Sequence, residues 1–222
     1  MSKSTNSQTL CSLVLCGGAG RRLGGVDKPL QSWAGEPLVQ HILRRLPVGL
    51  VLISANRSIA DYRRFGYPVV EDSNQAIAQT GAEERELQGP LAGILAAYEW
   101  LLKPTASATA ASQQAHWLYV VPGDTPRLPQ GLAIELLKLC LASGVPAACV
   151  KAERLHPLPL LVKTSALPTL VDYFASNQRS VAGWLKHLSY VALENPGYEQ
   201  QLLNINTPEQ LAALNLSTPT SD

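Results

Sequence analysis

The sequence predicts an α/β fold, a three-layer sandwich around a mostly parallel central sheet. Two observations predict it. Short apolar runs rich in Val, Leu and Ile recur at 13–16, 50–54, 68–70 and 117–121, as strands buried on both faces require. Segments of helical spacing separate them, and strand, helix, strand, helix, strand implies parallel pairing with right-handed crossovers. At 222 residues the chain holds one sizeable core and would be cramped as two domains. The expected organisation is a disordered polar tail over 1–9, a single domain over 10–214 and a frayed tail over 215–222.

Taken in order, Leu13-Val14-Leu15-Cys16 is a short buried strand that runs into a glycine-rich stretch ending at Lys28. Gly35-Glu36-Pro37 opens a helix with proline in its first turn, placing Leu38, Ile42, Leu43 and Leu46 on one face. The strand over 50–54 ends at Asn56 and Arg57, where ligand contacts in parallel sheets usually sit. A short helix over 59–65 leads to the strand 68–70, which ends in Glu71-Asp72. Residues 73–88 are polar without a period and read as a mobile surface loop. Gly89-Pro90-Leu91-Ala92-Gly93 starts a helix to about Leu102, stopped by Pro104, and the Thr/Ala/Ser/Gln stretch over 105–115 is a low-complexity connection.

The strand 117–121 delivers Pro122-Gly123-Asp124-Thr125-Pro126 to its carboxyl end. A helix over 130–142 buries Leu132, Leu136, Leu137 and Cys140. Strands near 147–151 and 158–163 flank Arg154-Leu155-His156-Pro157, and so short a connection makes them antiparallel. Helices near 166–175 and 180–187 bracket Arg179, and a short strand near 189–193 follows. In Asn204-Ile205-Asn206-Thr207-Pro208-Glu209-Gln210, Thr207 as N-cap, Pro208 at the first helical position and Gln210 make a capping box for a terminal helix. There is no internal repeat.

Composition narrows the function. Hydrophobic residues make up 46% of the chain, charged ones 16%, and the formal charge is +1, so no global field draws nucleic acid or an anionic membrane. Any anionic ligand must be held by local charge. The cysteines at 11, 16, 140 and 149 form no Cys-x-x-Cys pair and no zinc spacing, and read as reduced core thiols of a cytoplasmic protein. The apolar run before Cys16 is too short for a lipoprotein signal, with bulky Leu15 where cleavage needs a small residue. No segment reaches transmembrane length.

Local charge is concentrated in Gly17-Gly18-Ala19-Gly20-Arg21-Arg22-Leu23-Gly24-Gly25-Val26-Asp27-Lys28. Five glycines in nine positions let main-chain N–H groups turn toward phosphate oxygens, and two arginines and a lysine supply countercharge. Two familiar phosphate-binding motifs fail on it. A P-loop needs Gly-Lys-Ser/Thr, but Lys28 stands between Asp27 and Pro29. The dinucleotide fingerprint needs a third glycine where Leu23 stands, and Gly24 comes one residue late. The plain alternative is a glycine-rich β-to-α turn with solvated arginines.

The stretch is similar to the leucine-x-Gly-Gly-x-x-x-Arg-hydrophobe-Gly…Asp-Lys loop of nucleotidyltransferases with a Rossmann-like, nucleotide-diphospho-sugar transferase fold. Within that group the chain resembles the molybdenum cofactor guanylyltransferases from residue 10 to about 214, and Gly-Gly-Val-Asp-Lys is the most specific part. The resemblance implies transfer of GMP from GTP to molybdenum-molybdopterin, with Mg2+ as cofactor and pyrophosphate as by-product. It also suggests transient contact with molybdoenzyme maturation proteins.

Nucleotidyl transfer needs charge on the triphosphate, a bridging metal and a positioned attacking oxygen. Lys28 offers a compact charge and Arg22 a fork suited to phosphate, while Arg21 reads as a solvated neighbour. Asp124, in an Asp-Thr-Pro motif, is by resemblance the metal ligand, the alternative being an Asx-turn cap. The resemblance assigns the nucleotide to Asn56, Asp72, the segment of Gly89, Pro90, Leu91 and Gly93, and main-chain groups of Leu15, Cys16, Gly17 and Gly18. Asn204 and Asn206, His156 before Pro157, and Arg179 are weaker candidates for the second substrate, and capping turns account for Asn206 nearly as well.

The chain departs from the family pattern in Cys16 for alanine, Leu23 for methionine and a longer 73–88 loop. A cytidylyltransferase acting on the same pterin shares the loop and the aspartate. Sugar-phosphate nucleotidyltransferases usually carry proline before the lysine, where this chain has Asp27. A non-catalytic pterin-binding protein is the alternative that is not an enzyme.

Overall fold

Residues 9–17, 27–72, 89–103 and 115–216 are described in a computed structural model. Gly18, Arg21 and Arg22, the 73–88 loop and most of the low-complexity connection lie outside them. The strands are β1 (Leu10–Leu15), β2 (Ser32–Trp33), β3 (Glu36–Pro37), β4 (Leu50–Ser54), β5 (Val69–Val70), β6 (Trp117–Pro122), β7 (Ala147–Lys151), β8 (Leu155–Lys163) and β9 (Tyr190–Glu194). The helices are α1 (Leu38–Leu43), α2 (Ile59–Arg63), α3 (Gly89–Leu102), α4 (Leu132–Ser143), α5 (Pro168–Ala175), α6 (Val181–Leu185) and α7 (Pro208–Leu216).

Seven strands form one sheet in the order β5-β4-β1-β6-β8-β7-β9. β1 pairs in parallel with β4 and β6, β4 with β5, and β7 with β9; β8 alone runs against its neighbours. The mostly parallel sheet is therefore as the sequence predicts. Alternate residues of each strand feed two cores. On one face Cys11, Leu13, Leu52 and Val120 meet Leu91, Ile94 and Leu95 of α3, Phe174 of α5 and Trp184 of α6. On the other, Val14, Ile53, Tyr119 and Val121 meet Val39 and Ile42 of α1, Tyr62 of α2 and Leu132 and Leu136 of α4. Strands covered on both sides read as continuous apolar runs, which is why 50–54 and 117–122 were visible without alternation.

Two elements differ from expectation. Gly35-Glu36-Pro37 does not open a helix; β2 and β3 form a two-stranded ribbon around Ala34 and Gly35, at φ 50° and 83°. Positive φ at both central residues matches the twist of a tight hairpin, and α1 starts only at Leu38. β8 begins at Leu155, so His156 and Pro157 lie inside the strand rather than before it. A register shift between Ala148 and Val150 accompanies this, and bulges are where a strand tolerates proline.

Candidate active site

The chain leaves β1 for β4 and β5 on one side and returns to β6 on the other. Ligands of α/β sheets bind at such a reversal, outside the carboxyl ends of the strands. There Cys16 N donates to Ser54 O at 2.8 Å, and Gly123 N donates to Leu15 O at 2.8 Å. A Cβ on Gly123 would stand 2.8 Å from that same oxygen and 2.9 Å from Cys16 Sγ. Glycine is required because backbone meets backbone at this point, and the approach sets Asp124 beside the end of β1.

The Asn204-Ile205-Asn206 segment is stapled to the same edge. Ile205 N donates to Asp124 O at 2.9 Å, and Thr125 Oγ1 donates to Asn204 Oδ1 at 2.9 Å. Lys28 Nζ donates to Asn206 Oδ1 at 2.8 Å. Ile205 itself is buried against Trp33 and Leu38, so the asparagines flanking it are held by an apolar anchor. Four predicted site residues, Lys28, Asp124, Asn204 and Asn206, thus come together from distant parts of the chain.

Burial raises the Asp124 carboxyl above its ordinary value, and the nearby Lys28 charge opposes that rise. A poorly solvated carboxylate oxygen of this kind favours a bound cation. Among the described residues no three His, Cys, Asp or Glu side chains gather into a metal cage. Magnesium is commonly held by one or two carboxylates and completed by phosphate oxygens and water, so the donor set fits it.

Beside this junction Asn56 Oδ1 accepts from Asp72 N at 2.8 Å, linking the ends of β4 and β5. Burial raises the Asp72 carboxyl, against a hydrogen bond from Asn56. Gly17 faces the same asparagine, with Nδ2 3.7 Å from where its Cβ would be. A Cβ on Gly93 would stand 2.5 Å from Ser54 Oγ and 2.8 Å from Leu15 Cδ2; the glycine lets α3 pack onto the sheet at this edge. Gly89 begins α3 at φ 67°, near the carbonyl of Arg179.

The weaker candidates have firm local partners. The Arg179 guanidinium donates to Phe174 O and Gln178 O and stacks 3.8 Å from the Phe174 ring centroid, closing off the end of α5. His156, 7% exposed, shares a 2.8 Å hydrogen bond with Glu199. Glu199 also accepts from Glu153 N and pairs with Arg154. Because β8 is antiparallel to β6, this cluster lies toward the same carboxyl edge.

Three supporting residues escape the sequence reading. Asp27 is 8% exposed and accepts a 2.7 Å hydrogen bond from the Tyr62 hydroxyl, while Glu199 gathers the β7–β8 turn. The available signal is thin: Asp27 immediately precedes Lys28, and nothing around Tyr62 or Glu199 marks them. Neither a helical tyrosine nor a partly buried glutamate reveals its long-range partner by spacing.

Residues 12–192 match the model of the MobA-like NTP transferase domain. The molybdenum cofactor guanylyltransferase of Acidovorax ebreus is 33% identical, over 94% of this chain and 96% of its own. That of Mannheimia succiniciproducens is 35% identical, over 93% and 97%. Among solved structures, the molybdopterin-guanine dinucleotide biosynthesis protein A of Archaeoglobus fulgidus superposes with a TM-score of 0.69 at 20% identity, covering 93% of this chain and 97% of its own. The 4-diphosphocytidyl-2C-methyl-D-erythritol synthase of Anaerococcus prevotii gives 0.64 at 11%, covering 94% and 95%. At such identities these two speak for the fold alone.

Proposed function

The chain belongs to the MobA-like NTP transferases and, among them, to the molybdenum cofactor guanylyltransferases, and from that premise we propose that it transfers GMP from GTP to molybdenum-molybdopterin. The observation that carries the reading is the junction of Lys28, Asp124 and Asn206, which unites the phosphate-loop lysine, a desolvated carboxylate and the last motif of the chain. A terminal phosphate oxygen of molybdopterin attacks the α-phosphorus of GTP in line. The new P–O bond forms as the bond to the β-phosphate oxygen breaks, and pyrophosphate leaves with that electron pair.

The attacking phosphate is already ionised at neutral pH, so the chain needs no dedicated general base. Its task is positioning and charge. Lys28 sets a compact positive charge against the triphosphate, and Arg22 of the same loop adds a fork suited to phosphate oxygens. Asp124 would hold a divalent ion, Mg2+ by its hard oxygen donor, and the ion would supply charge neutralisation to the phosphates. Asn56 and Asp72 offer an amide and a carboxylate to the guanine edge or the ribose. Asn206, bonded to Lys28, is offered to the second substrate, and transient contact with molybdoenzyme maturation proteins fits a cofactor that must be handed on.

The test is a competition. Purified protein is incubated with Mg2+, molybdenum-loaded molybdopterin and equal GTP and CTP, and the dinucleotide is identified by mass. A guanine dinucleotide is expected. A cytosine dinucleotide overturns the base choice, and no product with either overturns the transfer itself.

A further inference from the structure

The Lys28 turn rests on a buried polar strut that the reaction described above does not use. The turn, Lys28–Leu30, is a single 3-10 turn with Pro29 buried, closed by Leu30 N donating to Asp27 O at 3.1 Å and Gln31 N to Lys28 O at 2.9 Å. Asp27 heads it, with one carboxylate oxygen taking the Tyr62 hydroxyl at 2.7 Å. The other makes no hydrogen bond among the described residues and lies 3.7 Å from Arg57 Nε. Tyr62 is fully buried, and the Cys16 thiol lies against the same hydroxyl.

A carboxylate this buried, with one oxygen making no hydrogen bond among the described residues, is a poor device for stability; an amide or an apolar residue would cost less desolvation. What it does is join four segments: the Lys28 turn, α2 through Tyr62, the end of β4 through Arg57, and the end of β1 through Cys16. We propose that Asp27 and Tyr62 are positioning residues for Lys28, a carboxylate–phenol strut that fixes the lysine's backbone so that its ammonium meets the triphosphate in place. The inference rests on the nucleotidyl-transfer reading, since it takes Lys28 as the group that meets the phosphates. A lysine stem is flexible and loses rotamer entropy when it binds. Anchoring its first atoms lowers that loss, and small misplacements of a positioning group cost rate steeply.

The test is a mutant cycle read by GTP binding rather than by turnover. Calorimetric dissociation constants for GTP with Mg2+ are measured on the full chain for wild type, Tyr62→Phe, Lys28→Ala and the double variant, with circular dichroism confirming the fold. Tyr62→Phe is expected to weaken GTP about fivefold when Lys28 is present, the scale of one buried hydrogen bond. In the Lys28→Ala background the same change is expected to cost less than about twofold, because the strut acts through the lysine. A purely structural role lowers thermal stability alike in both backgrounds and leaves the two GTP ratios equal; equal ratios, or no weakening at all, overturn the inference. Should Tyr62→Phe fail to fold, Asp27→Ala, which removes the acceptor of the Tyr62 hydroxyl, takes its place in the same cycle with the same pattern expected. Wild-type protein that binds no GTP overturns the functional reading together with this inference, whereas GTP binding with an additive cycle overturns the inference alone.

Discussion

Asp124 carries opposing demands. Burial holds its carboxyl above the ordinary aspartate value, with Lys28 pulling it back. A carboxyl whose folded value exceeds its unfolded one binds its proton more tightly in the folded chain, so stability falls as pH rises through that window. Asp124→Asn removes the titrating group. We expect it to lower guanylyl transfer about 100-fold or more yet to raise the thermal midpoint at neutral pH without divalent ion. That gain should vanish as pH drops into the ordinary aspartate range. Midpoints across pH, paired with product mass, check both; a midpoint lowered at every pH, or turnover preserved, contradicts the assignment. Asp124 and Lys28 were legible because each stands in a short motif. The pairing of Asp27 with Tyr62 was not, since a buried hydrogen bond across 35 residues leaves no periodicity.

At the level of elements, the terminal capping box was read from sequence and is present. Gln210 N donates to Thr207 Oγ1 at 3.2 Å, and Thr207 N donates to Gln210 Oε1 at 3.1 Å. Asn206 N donates to that same Oε1 at 2.6 Å, so the cap of α7 also orders the residue that bonds Lys28. Thr207→Ala is expected to cost about 1 kcal/mol, roughly 2–4 °C in thermal midpoint for a chain of this size. Hydrogen exchange at the Asn206 and Gln210 amides should quicken with it, and unchanged exchange would detach the cap from the site. Legibility followed the physics of each element. Doubly buried strands and a capping box announce themselves locally. The β2–β3 ribbon hid behind a proline that resembles a helix start, and the length of β8 depended on a bulge in its neighbour.

Across the molecule, the two cores enclose every cysteine. All four are buried free thiols, with burial pushing Cys11 and Cys149 up to about 12 and Cys140 to about 11. Cys16 is raised as well, by burial and by the Asp27 and Asp124 carboxylates. An alkylating reagent at neutral pH is expected to leave the native protein unlabelled and to label four thiols after denaturation, read by intact mass. Labelling of Cys16 in the native state would mean the edge opens. His41 and His116 also have structural partners, Trp33 O and Thr9 N. The bond between Lys28 and Asn206 spans 178 positions. On the ribosome the asparagine emerges after the lysine and after every strand of the described sheet. A nascent chain can therefore pair the strands of its sheet before that bond exists, and the junction closes on a scaffold already laid down.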